Sequence, residues 1–419
     1  MRILVADEFS PRRIDELQAL GLDVDYDPHC TAEDLSTGTR IGEASILVVR
    51  STRVTRPAIE GAARLALIVR AGAGVDTIDI AAASESGILV SNCPGRNSAA
   101  VAELAMGLIL ALDRRIADAT SDLRAGRWNK KEYAQAHGLK GTTLGIVGLG
   151  RVGAEVAKRA RAFEMHVVTW SIPPHPERAQ ALGVERCATL HTLAEVSDII
   201  SVHLPQSVET RRIFSAEVFA RMKPRTIFVN TSRGGVVDEA ALADAMRDKQ
   251  LRVGLDVFER EPADAVAVFR PALADAGLFV GTPHIGASTE QAQDAIAAET
   301  VRICSEFVKT GTAPHAVNLE EHAPAECQLV VRHYDQVGVL ASVLAVLRTH
   351  EANVEEMTNT IFQGAKTAVA TIRLSKMPAA EVVAEIAALK GAVIAAEAKP
   401  LGFPPAAVAD PSQRRPGSS

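Results

Sequence analysis

Short, wholly apolar runs alternate with helix-spaced segments through the first three hundred positions. Residues 2–6, 46–49, 67–69 and 88–90 predict buried strands, and 11–20 and 57–63 carry helical spacing between them. A strand covered on both faces has no polar side to display, so these runs predict a parallel sheet with helices on either face. Asn97 is the predicted N-cap of a long Ala-rich helix reaching about residue 124. A second series begins near Thr143. Its strands are 144–147, 167–170, 199–202, 227–229 and 253–255, with helices at 151–163 and 239–248 and a long one from 286 to 308. After residue 326 the rhythm changes. Strand 328–333, helix 337–349, strands 354–361 and 367–374 joined at Gln363-Gly364, helix 379–389 and strand 392–396 give the order βαββαβ, the ferredoxin-like motif. Residues 320–324 predict a linker, and the Pro-, Ser- and Arg-rich stretch 402–419 a disordered tail.

Length and composition narrow the picture. The 419 residues suit two or three domains, and 47% hydrophobic with 23% charged residues is ordinary for a globular protein. A net charge of −6 gives no global basic field for nucleic acid. No apolar run approaches the roughly 18 residues of a membrane helix, and the N-terminus turns acidic by residue seven, so no signal peptide is expected. The five cysteines form no C-x-x-C pair, which argues against a disulfide framework and a cysteine-rich zinc site and fits a reducing cytoplasm. No metal is expected.

Candidate chemistry gathers at strand ends. Gly148-Leu-Gly-Arg-Val-Gly153 is G-x-G-x-x-G placed directly after an apolar strand and opening a helix. Gly148, Gly150 and Gly153 permit a tight turn and close approach of a pyrophosphate, which the free amides of the helix start at Arg151 and Val152 stabilise. An acidic residue that would hold the adenosine ribose belongs at the end of the next strand. Ser171 stands there instead, followed by Ile172-Pro-Pro-His-Pro-Glu-Arg178. NAD is the expected cofactor, with NADP possible and Ser171, His175 or Arg178 available to a 2′-phosphate. Arg233, Asp256, Glu259, Glu261 and His284 follow three further strands. An arginine suited to a carboxylate, a carboxyl group and a histidine make an anion clamp with a tuned general acid. Behind a nucleotide loop, that set favours hydride transfer.

The runs G-L-G-R-V-G, N-T-S-R-G-G-V-V-D, D-V-F-E-R-E-P and T-P-H-I-G-A-S-T together resemble the D-isomer-specific 2-hydroxyacid dehydrogenases over nearly all of the first 318 residues. Val331-Arg-His-Tyr-Asp-Gln-Val-Gly-Val-Leu340, with Glu351-Ala-Asn-Val354, resembles an ACT domain, although Val337 replaces the usual proline. The pairing resembles the branch of the family that oxidises a phosphorylated three-carbon 2-hydroxy acid in amino-acid biosynthesis. The resemblance implies a flavodoxin-like substrate domain from 1–97 and 286–318, a Rossmann cofactor domain from 98–285, a linker at 319–325 and an ACT domain at 326–401. It implies that Arg233 binds the substrate carboxylate, that His284 is the acid/base and that Glu261 tunes it. It places Asp256 at the nicotinamide carboxamide, and His203, Pro205, Thr231 and Gly286 along the cofactor cleft. Arg50, Arg53, Arg70, Gly72, Asn97 and Lys131 would receive the substrate, the arginines meeting a phosphate at its far end. His333, Asp335 and Asn353 stand where an amino-acid effector would bind, with a purely structural dimerisation domain as the other reading. A homodimer or homotetramer is expected. Two alternatives stay open: a reductase of glyoxylate, hydroxypyruvate or another small 2-oxo acid, and a catalytically quiet NAD(H)-sensing interaction protein.

Overall fold

The computed structural model describes residues 1–38, 40–262, 266–320 and 325–401. The expected 319–325 linker and 402–419 tail thus lie largely outside the described residues. The chain divides into two compact units, Met1–Asn318 and a second beginning at Leu319.

The first unit holds two parallel sheets. Strands β1 (Arg2–Val5), β2 (Asp23–Tyr26), β3 (Ile46–Val49), β4 (Leu67–Arg70) and β5 (Leu89–Asn92) are ordered β2-β1-β3-β4-β5. Alternate residues of a strand face opposite sides, and here both sides are apolar. Leu4, Leu47, Ile68 and Val90 enter one core cluster, while Ile3, Val5, Ile46, Val48, Leu67 and Val69 enter the other. That second cluster also takes Ile296, Ala297, Ile303, Cys304 and Phe307 from the helix Glu290–Thr310, so the chain returns to its first sheet after leaving it. Residues beyond that helix stay there: the Val317 amide donates to Val90 O, and Asn318 Nδ2 to Ile88 O.

The second sheet has seven strands: β6 (Thr143–Val147), β7 (His166–Trp170), β8 (Glu185–Arg186), β9 (Ile199–Val202), β10 (Ile227–Asn230), β11 (Arg252–Leu255) and β12 (Phe279–Gly281). Their order is β12-β11-β10-β9-β6-β7-β8. Strand order reverses between β6 and β9, and between β1 and β3 in the first sheet. Such switch points open a crevice at the carboxyl ends of the strands.

Several features differ from the sequence-based expectation. The long helix is two, Ser98–Arg114 and Ile116–Arg124, broken where Arg115 takes a left-handed conformation (φ 51°). Asn97 starts the first of them without a side-chain cap bond. The helix expected from 286 begins at Glu290, because Thr289 caps it by accepting from the Ala292 amide at 3.2 Å. Strands β2, β8 and β12 were not predicted. All three lie at sheet edges or next to them, where the two-sided apolar signature fades.

The second unit is an antiparallel sheet of β13 (Cys327–Tyr334), β14 (Val354–Ile361), β15 (Thr367–Leu374) and β16 (Val393–Pro400), ordered β14-β15-β13-β16. Cys327, Leu329 and Val331 of β13 and Ala370, Ile372 and Leu374 of β15 share one core with the helices Val339–Thr349 and Ala380–Ala387. This is the expected ferredoxin-like βαββαβ arrangement. Gly338 starts its first helix in the left-handed region (φ 88°), where a glycine is least strained. No helix among the described residues is long and apolar enough to cross a membrane.

Candidate active site

Three strand-end loops of the second sheet converge. After β10, the buried Asn230 side chain folds its loop: Nδ2 donates to Arg233 O at 2.9 Å, and Oδ1 accepts from Ser232 N (3.0 Å) and Ser232 Oγ (2.7 Å). Arg233 therefore leaves the loop at a fixed point. Its Nε donates to Asp76 Oδ2 at 2.9 Å and its Nη1 to Ser232 O at 2.7 Å. Neither bond uses Nη2, which keeps two donors for an anion.

After β11, Glu261 accepts from the Phe258 amide through Oε1 at 2.9 Å and meets His284 Nδ1 through Oε2 at 2.7 Å. Burial pushes this carboxyl up. The bond to His284, the Phe258 amide and the charges of His284 and Arg233 outweigh that and hold it below the usual carboxylate range. An ionised carboxylate only accepts, so Nδ1 carries the proton and Nε2 is left for proton transfer. His284 sits in the left-handed region (φ 54°), which a non-glycine residue adopts only when its surroundings over-determine it. The buried Asp256 supplies much of that constraint. Its carboxylate accepts from Thr282 Oγ1 (2.7 Å), the Ile285 amide (2.8 Å) and the Gly286 amide (2.9 Å). The expectation for Asp256 was a contact with the nicotinamide; in the structure its oxygens are engaged by the loop that carries His284.

Most of the residues expected to receive a substrate come from the first sheet and its loops. Gly72 and Gly74 follow β4, and a Cβ at either would collide with a guanidinium, that of Arg70 or that of Arg233 respectively. The two arginines thus lie against one stretch of glycine backbone. Burial, together with the like charges of Arg233 and Arg50, pulls the Arg70 guanidinium below the usual arginine value against the opposing pull of Asp76. Arg70 Nε is buried without a partner. The side chains of Arg50, Arg53 and Arg70 make no hydrogen bond or ion pair among the described residues. The loop bearing Arg50 and Arg53 is held by Asp7, whose Oδ2 accepts from the amides of Arg50 (2.6 Å), Ser51 (3.1 Å) and Thr52 (3.1 Å). Nothing in the sequence pattern marked Asp7 or Asp76. Asn97 lies at the start of its helix, two residues after Gly95 (φ 84°), where a Cβ would press on the Arg151 side chain. Lys131 is exposed on the short helix Lys130–Tyr133 and has no polar partner among the described residues.

The cofactor-side residues fit a dinucleotide. Gly148 takes φ 99°, and a Cβ there would fall 2.6 Å from His203 O; one at Gly153 would strike Gly148 O. Gly150 faces open space at the start of the helix Arg151–Ala162, with Val152 partly buried under it. Thr231 Oγ1 and His203 Nδ1, at the ends of neighbouring strands β10 and β9, are buried and unpartnered. Burial pulls the His203 ring down to about 3, so it is neutral, and its Nε2 lies 2.8 Å from Ser201 Oγ. Pro205 continues that segment and accepts from Thr210 Oγ1 at 2.7 Å. Beyond Leu149 lies a cavity of about 270 Å³ lined by Trp170, Ser171, His175 and Arg186 among others and by no carboxylate. Ser171 Oγ accepts from the Leu149 amide at 2.7 Å, which leaves its proton to donate, and Arg178 Nη1 reaches back to Leu149 O at 2.9 Å.

The second unit does not gather the three expected effector residues. His333 is buried, with Nδ1 at 2.8 Å from Tyr334 O and Nε2 at 3.0 Å from Asn359 Oδ1, so its ring is engaged within the domain. Asp335 follows the end of β13, whereas Asn353 precedes the start of β14. The register Val354↔Leu374↔Cys327 and Ile361↔Ala368↔His333 puts those points at opposite ends of the sheet. Seven strand residues separate them, roughly 23 Å.

These geometries define a nucleotide-dependent oxidoreductase architecture, and the comparisons agree. Residues 106–286 match the model of the D-isomer specific 2-hydroxyacid dehydrogenase NAD-binding domain. The chain belongs to the D-isomer-specific 2-hydroxyacid dehydrogenases. It is 41% identical over 321 residues to the D-3-phosphoglycerate dehydrogenase of Methanocaldococcus jannaschii, covering 76% of this chain and 60% of that protein. It is 47% identical over 264 residues to the hydroxypyruvate reductase of Thermotoga maritima, covering 62% and 84%. A solved NAD⁺-bound 3-phosphoglycerate dehydrogenase of Entamoeba histolytica superposes with a TM-score of 0.63 at 28% identity, over 76% of this chain and 99% of that one. The chain spans between 52% and 64% of the length of the first curated phosphoglycerate dehydrogenases it matches.

Proposed function

We propose that this protein oxidises D-3-phosphoglycerate to 3-phosphohydroxypyruvate, a first step toward serine. The observation that carries the reading is the set of guanidinium groups at Arg50, Arg70 and Arg233, with Asp76 as the carboxylate acting among them. Like charges held this close call for a ligand of more than one negative charge. A substrate with a carboxylate at one end and a phosphate at the other supplies it. Arg233 binds the carboxylate through its free Nη2, while Arg50 and Arg70 meet the phosphate. His284 Nε2 takes the hydroxyl proton, and Glu261 stabilises the imidazolium that results. A nicotinamide cofactor, held by the Gly148–Gly153 turn and the start of the helix Arg151–Ala162, would supply the hydride acceptor. A reductase of hydroxypyruvate is the second reading, favoured by the 47% identity to the Thermotoga enzyme. Spectrophotometric assays of the purified protein with 3-phosphoglycerate, D-glycerate, hydroxypyruvate and glyoxylate, each with both cofactors, separate the two.

Cofactor choice follows from Ser171. A carboxylate at this strand end would repel a 2′-phosphate; a serine hydroxyl with a free proton does not, and Arg186 and His175 line the same cavity. The native protein is expected to use NAD and to accept NADP as well. Ser171→Asp is expected to push the ratio of kcat/KM toward NAD by about 1–3 kcal/mol, the scale of an unpaired buried polar group. A native protein strictly specific for NAD, unmoved by Ser171→Asp, would place selectivity elsewhere.

The assembly is proposed to be a homodimer or homotetramer. The helix Ile116–Arg124 buries no residue and leaves Ile116, Leu123 and the nearby Trp128 exposed. An effector touching Asp335 and Asn353 together would need two copies of the second unit. Light scattering of the purified chain tests this, with a monomeric mass as the contrary result.

A further inference from the structure

The turn that carries Glu261 is held from outside the Arg233–Glu261–His284 group. Its Glu259 amide donates to Glu239 Oε1 at 2.6 Å, from the first residue of the helix Glu239–Lys249. The Glu259 carboxylate accepts from Arg212 Nη2 at 2.6 Å and Nε at 3.1 Å. Arg212 in turn donates its backbone amide to Gly235 O at 2.9 Å, from a left-handed conformation (φ 49°), and its Nη1 lies 4.0 Å from Asp238 Oδ2. Two side chains thus join the turn of Glu261 to the loop of Arg233. The two segments also touch directly, because a Cβ at Gly234 would collide with the Phe258 carbonyl. Glu239 is no ordinary acid at a helix start. It is half-buried, and the one hydrogen bond of its side chain among the described residues goes to a different loop.

We propose that Glu239 and Arg212 are positioning residues: they fix the Glu261 turn against the Arg233 loop, so that Glu261 meets His284 while Arg233 faces the same substrate. The proposal rests on the reading of Glu261 and His284 as the acid/base pair. Charge is part of it. Burial and the Glu259 and Glu261 carboxylates push the Glu239 carboxyl up, against the Glu259 amide and the Arg260 charge. The charged groups around the bracket are Arg212, Asp238, Glu259, Arg260 and Glu261, with Arg233 and His284 next to Glu261. An ionised Glu239 therefore adds negative potential on the Glu261 side of His284.

The test compares Glu239→Ala, Glu239→Gln and Arg212→Met with the native protein by steady-state rates across pH, with NADH binding followed by fluorescence. Glu239→Ala should lower kcat roughly 10- to 100-fold, the scale of a reacting group displaced by about an ångström, with the NADH Kd and the melting temperature little changed. Glu239→Gln keeps an acceptor for the Glu259 amide, so it should recover most of that loss. It lacks the charge, so its acidic limb should move to lower pH. Arg212→Met should lower kcat in the same direction. Native-like kcat in Glu239→Ala would overturn the proposal. So would a loss matched by lost NADH binding or melting temperature, or a glutamine no better than alanine. The titration of the His284 ring followed by NMR reads the same geometry without turnover. A native protein inactive on 2-hydroxy acids would sink the functional reading, while an unaltered ring titration in Glu239→Ala would sink this one.

Discussion

Replacement of His284 by alanine is expected to lower kcat at least ~100-fold, the smaller end of what a positioned general acid–base group contributes. The ring fits the role of proton carrier: one nitrogen is tied to Glu261 at 2.7 Å and the other has no partner among the described residues. Glutamine at Glu261 tests the coupling. Glu261 is held ionised in spite of its burial, chiefly by the bond to His284. Glutamine can still accept the Nδ1 proton but carries no charge, so the ring gives up its second proton more readily. In the oxidative direction the neutral ring is the active form, and the rate falls on the acid side as the ring takes up a proton. In Glu261→Gln that fall is expected at lower pH, with a reduced plateau. Rates of 2-hydroxy acid oxidation measured across pH check both points. An acidic limb that stays in place would remove Glu261 from the tuning role.

Both sheets were legible because strands buried on two faces leave uninterrupted apolar runs, and the residues just past those runs are where open parallel sheets bind ligands. That logic points to Gly148, Arg233 and His284 as candidates, and the family resemblance singles out Glu261 over Glu259. What failed lacks the signature. In β2, Asp23–Tyr26, every residue is at least partly exposed, and β8 is only Glu185–Arg186. The break at Arg115 leaves no mark, because apolar spacing continues up to it and the left-handed turn needs no glycine. The site's supporting residues were invisible for another reason. Asp76 on Arg233, Asp7 under the Arg50 loop and Glu239 under Glu259 act across long sequence separations, and a lone carboxylate in a loop has no periodicity. One cue was available. Gly72 and Gly74 alternate between Arg70 and Asp76, and glycines at that spacing signal something packed against the backbone, here two guanidinium groups.

Loss of the Arg70 guanidinium is expected to separate substrates by their phosphate. Arg70 is largely buried, has an unpartnered Nε, and feels the like charges of Arg233 and Arg50. Its own fold gives it little: the positive neighbours repel it, and Asp76 is already bonded to Arg233. Its cost in the free protein is recovered when an anion of sufficient charge enters. Arg70→Met removes that repulsion and leaves the glycine backbone at Gly72 and Gly74 in place, so the variant should fold as stably as the native chain. With 3-phosphoglycerate it forfeits a charge-assisted bond of about 1.5–3 kcal/mol, roughly 10- to 100-fold in kcat/KM. D-Glycerate and hydroxypyruvate, held through their carboxylate by Arg233, should lose far less, and Arg50→Met should follow the same order. Arg233→Lys should behave differently. Lysine cannot reproduce the fork that grips Asp76, Ser232 O and a carboxylate together, so KM should rise and kcat fall for every substrate. The measurement is kcat/KM for the three substrates in the three variants. Equal losses in Arg70→Met would mean that no phosphate is read at this cleft, and the reductase of small 2-oxo acids would then be the better account of the arginine cluster.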